Sequence, residues 1–479
     1  MQNALVMKFG GTSVGSAERM QATADLSAAE RKKRPVAIVV SAMSKVTDLL
    51  LETMRRAESG NQAGIDSDIE RLRKRHRETC LELLPDGTHD AILERINAII
   101  DEFERIANGI CMLGEAPPRA VDEAVAVGER LSTLLVAARL ACDGTPAEAV
   151  NASELIVTDA VFGNATPLME ATREKTRARL VPMLEAGVLP VITGFNAATA
   201  DGRPTTLGRG GSDFSASIIA SSLDAAELWI WTDVDGIMTA DPRLVPDCAV
   251  LEEVTYREAA ELAYNGAKVL HPRTLAPLAG RAIPVWSKNS FAPEKPGTKI
   301  VPRIETSTGA CAVTSMANVA LISIEPASAV LNGTQVMGKA LDALGRANIE
   351  VLMVSSSSYQ QSFCCLVRGQ ELPAALAAIR SALALELEHG YLRPIDVDEN
   401  VGLLAVVGEG MQGTPGLAGR IFTAVSREKI NIIAIAQGAS ELTISIVVHR
   451  DGLEKAVRAV HADARMGEHA HPPVLEPRA

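Results

Sequence analysis

Uninterrupted apolar runs recur through the first half of the chain, each closed by small or polar residues. Residues 4–8, 35–40 and 189–195 lack the apolar–polar alternation of a half-exposed strand, and 226–231 reads as a further strand. The first three read as strands buried on both faces, as in a parallel sheet covered by helices. Helical spacing fills the intervals, at 16–33, over much of 52–110, from Val127 through Leu140, at 214–222 and at 256–264. This alternation predicts an α/β fold with ligand chemistry gathered at the carboxyl ends of its strands.

From Pro296 the pattern changes. Gly297, Pro302, Ser307, Thr308 and Gly309 mark a linker. Beyond it, the order strand–helix–strand–strand–helix occurs twice, over 319–387 and over 401–461. That order is α+β, with helices on one face of an antiparallel sheet. The second copy lacks a fourth strand of its own. The expected division is a first domain over 1–305 and two modules over 306–395 and 396–479.

Composition narrows the field. A net charge of −12 argues against nucleic acid or an anionic membrane as partner, so an anionic substrate needs local cations. The seven cysteines are scattered without a C-x-x-C pair and read as reduced. The apolar start is interrupted at Lys8, and no run approaches the roughly 20 residues of a membrane span. The expectation is a cytoplasmic protein. The basic run Arg71-Leu-Arg-Lys-Arg-His-Arg77 lies between Glu70 and Glu78 and reads as a solvated helix face.

Candidate chemistry sits at the strand ends. In Lys8-Phe-Gly-Gly-Thr-Ser-Val14 a lysine and a glycine pair lie where strand gives way to helix, a cradle for phosphate with a cation beside it. The lysine precedes the glycines, so this is not a P-loop. Ser41-Ala-Met-Ser-Lys-Val-Thr47 is a polar turn after the second strand, although Ser41 and Thr47 taken singly read as helix caps. Leu207-Gly-Arg-Gly-Gly-Ser-Asp213 frames Arg209 with glycines, which suits two-point recognition of a carboxylate or phosphate. Thr232-Asp-Val-Asp-Gly236 presents acceptors to a ribose, a base edge or hydrated magnesium, or forms a ligand-free Asx turn. Glu129 sits in a first helical turn, where a carboxylate is comfortable without any ligand. His271 precedes a proline with no nucleophile paired to it and reads as structural, whereas Lys268 after Gly266 has the reach for a phosphate.

Taken in order, the Lys8–Val14, Leu207–Asp213 and Trp231–Gly236 motifs, with Gly266-Ala-Lys-Val-Leu-His-Pro272, resemble the aspartate kinases over essentially the whole chain. The resemblance implies an αβα sandwich of the amino-acid-kinase type with a mainly parallel sheet, followed by two α+β, ACT-like (βαββαβ) modules that interleave. It implies ATP-dependent phosphorylation of the L-aspartate side-chain carboxylate, the first step toward lysine, threonine and methionine, with Mg²⁺ accompanying ATP and no separate structural metal. On that pattern Lys8 and Asp213 are catalytic, and Lys8 contacts the transferred phosphate with the amides of Gly10 and Gly11. Arg209 grips the substrate α-carboxylate and Glu129 its α-ammonium, while Thr47, Phe195 and Ser212 complete the pocket. Ser41, Thr232, Asp233, Met238, Arg243 and Lys268 fall in the nucleotide site, Met238 in place of an aromatic residue of some relatives. The modules imply regulation by an amino-acid effector, threonine or lysine, held near Asn332 and Gln437. They also imply a homodimer or larger homo-oligomer. A different carboxylate kinase of the same fold is the neighbouring alternative.

One motif competes. Gly408-Glu-Gly-Met-Gln-Gly413 matches the dinucleotide fingerprint and so raises an NAD(P)-dependent oxidoreductase. No acidic residue closes the following strand, and too few residues follow Gly413 for a dinucleotide-binding sheet.

Overall fold

The computed structural model describes residues 3–267, 270–304, 309–327, 332–357 and 362–464, which fall into two compact units. The first draws on Met1–Ile237, Glu252–Tyr256 and Leu270–Arg303; the second on Met238–Leu251, Arg257–Val269 and Ile304–Ala479. The units are therefore not contiguous in sequence. Two segments that precede residue 305 pack with the later part of the chain.

Among the described residues, eleven strands build the first unit: β1 (Leu5–Phe9), β2 (Val36–Val40), β3 (Ala147–Val150), β4 (Val157–Thr158), β5 (Leu189–Thr193), β6 (Asn196–Thr199), β7 (Pro204–Thr206), β8 (Glu227–Thr232), β9 (Glu253–Thr255), β10 (Val285–Asn289) and β11 (Thr298–Val301). Its helices are α1 (Ala17–Arg31), α2 (Val46–Glu58), α3 (Gln62–Leu83), α4 (His89–Leu113), α5 (Pro118–Val125), α6 (Val127–Cys142), α7 (Met169–Glu185), α8 (Gly211–Leu223) and α10 (Pro272–Ala279), with α9 (Tyr256–Tyr264) running into the second unit. The main sheet has eight strands in the order β3-β5-β2-β1-β8-β10-β11-β9, parallel except between β10 and β11.

Strands β1, β2 and β5 are buried at every position, which explains their unbroken apolar sequence. Leu5, Met7 and Phe9 enter a core shared with α1–α6. Lys8, offset by one residue, points to the opposite face, where α8 packs on β1 and β2. Phe9 is level with Val40 of β2 and with Trp231 of β8, so three strands end side by side.

The second unit carries β12 (Ala312–Ile324), α11 (Gly333–Arg346), β13 (Met353–Ser356), β14 (Phe363–Arg368), α12 (Leu372–Ala382), α13 (Ala384–Glu388), β15 (Asp396–Val407), α14 (Leu417–Arg427), β16 (Ile432–Gln437), β17 (Thr443–His449) and α15 (Leu453–Asp463). One antiparallel sheet of six strands holds both copies of the repeat, in the order β13-β14-β12-β15-β17-β16. The central strands are much longer than their apolar runs. Ala312–Met316 pair with Leu403–Val407 in the second copy, while Leu321–Ser323 pair with Asp396–Asp398 beside the first. Each copy thus completes four strands with a segment from the other's long strand, and register shifts near Val319 turn β12 from one half to the other. Apolar side chains of α11 and α12 cover one half, and those of α14 and α15 the other.

This topology disposes of the dinucleotide fingerprint. The sheet is antiparallel, and a Cβ on Gly408 would lie 2.7 Å from the Gly309 carbonyl oxygen. Among the described residues, no helix is long and apolar enough to cross a membrane.

Candidate active site

The first unit holds a cleft of about 630 Å³ at the carboxyl edge of its sheet. Its floor follows from two turns that nest together. After β1 the chain makes the Gly10-Gly11 turn, and after β2 it makes the turn from Ser41 to Lys45 that leads into α2, whose first turn carries Thr47. A Cβ at Gly11 would come within 2.9 Å of the Ala42 carbonyl oxygen, so only glycine permits this approach. The Ser44 N–H donates to the Gly11 carbonyl at 3.1 Å and ties the turns together.

The opposite wall is the loop before α8. Gly208 and Gly210 adopt φ of +72° and +70°, and a Cβ on Gly211 would sit 2.6 Å from the Phe195 ring. This packing lets Arg209 stand out from the loop, exposed, with no ion-pair partner among the described residues. Asp122 of α5 anchors the loop from beneath. Its carboxylate is 2% exposed and accepts from the Gly163 N–H at 2.8 Å, the Thr206 N–H at 3.1 Å and the Thr206 hydroxyl at 2.7 Å. Burial raises its pKa against those hydrogen bonds. A lone aspartate in a short helix gave no sequence signal of this role.

Lys8 and Asp213 meet as an ion pair at 2.5 Å, with side chains 10% and 21% exposed. Asp213 lies in the first turn of α8, where the helix end favours a carboxylate. Glu129 lies in the first turn of α6 and is fully buried. Its Oε1 accepts from the Ala42 N–H at 3.1 Å, while its Oε2 has no hydrogen-bond partner. Burial pushes its pKa up to about 8, against the Ala42 N–H and the nearby Lys8 charge. A buried carboxylate with one free oxygen facing a cleft is a receptor for a cation.

Lys8, Gly11, Ser41, Thr47, Glu129, Phe195, Arg209, Ser212 and Asp213 all line this one cleft. Gly10 adjoins it, since a Cβ there would lie 3.4 Å from Lys8 Nζ. Thr232 and Asp233, at the end of β8, do not line it; the Thr232 hydroxyl donates to Asp233 at 3.3 Å. Met238 and Arg243 belong to the second unit, where Arg243 is exposed and paired with Asp241 at 2.5 Å. Lys268 lies outside the described residues. His271 caps α10, its Nδ1 accepting from the Arg273 N–H at 3.3 Å.

In the second unit, Asn332 caps α11, accepting from the N–H groups of Thr334 at 3.0 Å and Gln335 at 3.4 Å. Its oxygen is thus committed to the helix. Gln437 ends β16 and is exposed. Its neighbours Ala436 and Gly438 border a second cleft of about 330 Å³, which Gln437 itself does not line.

Comparison with known proteins gives concordant matches. A family profile described as the amino acid kinase family matches residues 3–289, and an ACT domain profile matches 329–383 and 404–463. The chain is 35% identical over 464 residues to the chloroplastic bifunctional aspartokinase/homoserine dehydrogenase 1 of Arabidopsis thaliana, covering 95% of this chain and 50% of that protein. It thus spans about half the length of the bifunctional relatives that it matches. It is 31% identical over 471 residues to the lysine-sensitive aspartokinase 3 of Escherichia coli, covering 97% of this chain and 99% of that one. The crystal structure of E. coli aspartokinase III with aspartate and ADP superposes with a TM-score of 0.81 at 29% identity, covering 96% of this chain and 99% of that one.

Proposed function

The chain belongs to the aspartokinase branch of the amino acid kinase family, and on that premise we propose that it transfers the terminal phosphoryl group of ATP to the side-chain carboxylate of L-aspartate. The observation that carries this reading is the convergence, in one cleft, of the Lys8–Asp213 pair, the outstanding Arg209 and the half-satisfied Glu129. Aspartate presents two carboxylates and an ammonium. Arg209 takes the α-carboxylate through its planar fork, Glu129 Oε2 takes the ammonium, and the side-chain carboxylate is left toward Lys8. Thr47, Phe195 and Ser212 close the pocket around the substrate.

That carboxylate is ionised at neutral pH, so the reaction needs no general base. One of its oxygens forms the new bond to the γ-phosphorus as the bond to the β–γ bridging oxygen breaks. ADP leaves with that electron pair, and 4-phospho-L-aspartate remains. Catalysis then rests on alignment and on charge stabilisation of the migrating group by Lys8 and the Gly11 amide, because the Gly10 N–H, expected to share that role, donates to the Trp231 carbonyl at 3.3 Å. Ser41, Thr232 and Asp233, at the carboxyl ends of β2 and β8, suit the nucleotide, and Met238, Arg243 and Lys268 are assigned there by family pattern. Among the described residues, no three His, Cys, Asp or Glu side chains cluster as a metal cage. Mg²⁺ would arrive on the phosphates, with Asp213 the carboxylate available to it, and would neutralise phosphate charge.

We assign the ACT modules to binding an amino-acid effector, lysine or threonine, and to joining chains into a homodimer or larger homo-oligomer. All seven cysteines are free, consistent with a reducing cytoplasm. Hydroxylamine trapping of the acyl phosphate, alongside ADP release, tests the reaction. Trapping with aspartate is expected. Equal trapping with glutamate would instead favour another carboxylate kinase of this fold.

The reading also predicts a pH dependence. Below about 8 the empty site holds Glu129 protonated, so binding an ammonium there expels a proton. The aspartate KM is therefore expected to rise as pH falls from 8 to 6, approaching about tenfold per unit, and Glu129→Gln should flatten the profile. The same burial lowers folding stability as pH rises from 4.5 toward about 8, because the unfolded chain ionises this group first. KM profiles and thermal melts of wild type and variant check both statements.

A further inference from the structure

Arg75 departs from the solvated face expected of the basic run in α3. Within that run, Arg71 pairs with Asp68 and Lys74 with Glu78, both exposed as Arg77 is, and Arg73 reaches Asp101 and Glu104 of α4. Arg75 turns inward and is half-buried. One Nη donates to the Ser44 carbonyl at 2.8 Å, and the other donates to the Gly15 carbonyl at 3.3 Å. These acceptors belong to the two nested turns of the cleft, which are otherwise joined by the bond from Ser44 N–H to the Gly11 carbonyl.

The helix that presents Arg75 is itself fixed. Asp68 on α3, 2% exposed at its side chain, binds Arg56 of α2 at 3.2 Å and the Thr53 hydroxyl at 3.3 Å. His76, next to Arg75, is completely buried with its Nδ1 against the Leu72 carbonyl at 2.8 Å, and burial lowers its pKa to about 4. It therefore stays neutral and donates from Nδ1 throughout the working pH range. A guanidinium held on such a base is a rigid fork with one prong on each turn.

We infer that Arg75 is a positioning residue for phosphoryl transfer, clamping the phosphate-cradling turn to the turn that lines the substrate side. The inference rests on the reaction proposed above. Its chemistry is local: Lys8 and Gly11 act from the end of β1 and the turn after it, Ser41 and Thr47 from the second turn and the start of α2 that follows it, and the clamp sets the gap between them. A fork spent on two carbonyls is unavailable to substrate, so its loss is expected in kcat more than in either KM. Misplacement of reacting groups by about 1 Å costs on the order of a hundredfold.

The test uses the full chain with Arg75→Ala, Arg75→Lys and, as control, Arg77→Gln. Arg75→Ala should lower kcat about 10–100-fold, with both KM values within about threefold. Millimolar guanidinium should restore part of the loss by refilling the fork. Arg75→Lys, which reaches one carbonyl at a time, should fall between, and Arg77→Gln should match wild type. Hydrogen exchange supplies a readout that needs no turnover: the Ser44 amide should exchange faster in Arg75→Ala and Arg75→Lys, with α2 and α3 still protected. Wild-type kcat in Arg75→Lys with unchanged Ser44 exchange overturns the clamp, even if Arg75→Ala fails to fold. A wild-type chain that does not phosphorylate aspartate overturns the proposed function instead, and the exchange experiment then decides the clamp alone.

Discussion

Lys8→Met lowers kcat for phosphoryl transfer by about 10²–10³-fold, the loss expected when a preorganised charge at the reacting group is removed. Methionine keeps the length of the side chain and its fit beside β2 and β8 but carries no charge. The substitution is a test of charge rather than of packing only because of where Lys8 sits. It is 8% exposed overall, so the buried stem contributes to the fold, and alanine would add a cavity to the lost charge. The variant also leaves Asp213 without its cation and removes the positive neighbour that opposes protonation of Glu129. The aspartate KM should therefore rise as well, most at low pH, while the loss in kcat persists at saturating substrate. Steady-state kinetics from pH 6 to 8.5 with a thermal melt give the measurement. More than about half of wild-type turnover would show that Lys8 does not stabilise the transferred group.

Arg209→Ala raises the aspartate KM by about 10–100-fold and the ATP KM by little. A hydrogen-bonded charge pair contributes about 1.5–3 kcal/mol, which corresponds to that range. Arg209→Lys keeps the charge but loses the fork, and should recover only part of the affinity. The geometry makes this a clean experiment. Arg209 is exposed on a loop held by Asp122 and by glycine packing, so truncating it leaves the wall of the cleft in place. Measuring each KM at saturation of the other substrate separates the roles. Equal rises in both would move Arg209 to the phosphates.

Much of this cleft was legible because its residues lie beside glycines or at the ends of apolar runs. Lys8, Gly11, Ser41 and Arg209 are marked by local chain geometry, which sequence records directly. Glu129 was marked only by family pattern; its burial and its free oxygen depend on Ala42, 87 residues away. Asp122 and Arg75 carried no signal, because a polar side chain that bonds distant backbone looks the same in sequence as one that meets water. The repeat was legible from its apolar strands, but the lengths of β12 and β15 were not. Residues 312–316 and 396–400 mix polar with apolar positions and gain strand order only by pairing across the repeat. Asn332 caps α11 and Gln437 stands exposed at the end of β16, and their part in effector binding rests on family pattern alone.

The segment Met238–Leu251 carries a consequence for how such a chain can be cut and recombined. Ala240 and Val245 are buried in the same core as Val313, Leu404, Met411 and Val457. The Thr239 carbonyl accepts from the Val313 N–H at 2.8 Å, and its hydroxyl and His461 Nε2 share a hydrogen bond at 2.9 Å. Yet in sequence this segment lies between β8 and β9 of the main parallel sheet. A crossover at the linker near 305 would graft foreign modules onto a segment shaped for its original ones. The inherited unit of exchange is therefore three separated stretches, Met238–Leu251, Arg257–Val269 and Ile304–Ala479, which a single genetic crossover cannot deliver. Changes in the modules and in that short segment must accumulate together, so partners for it should be sought by covariation and not by shuffling whole domains.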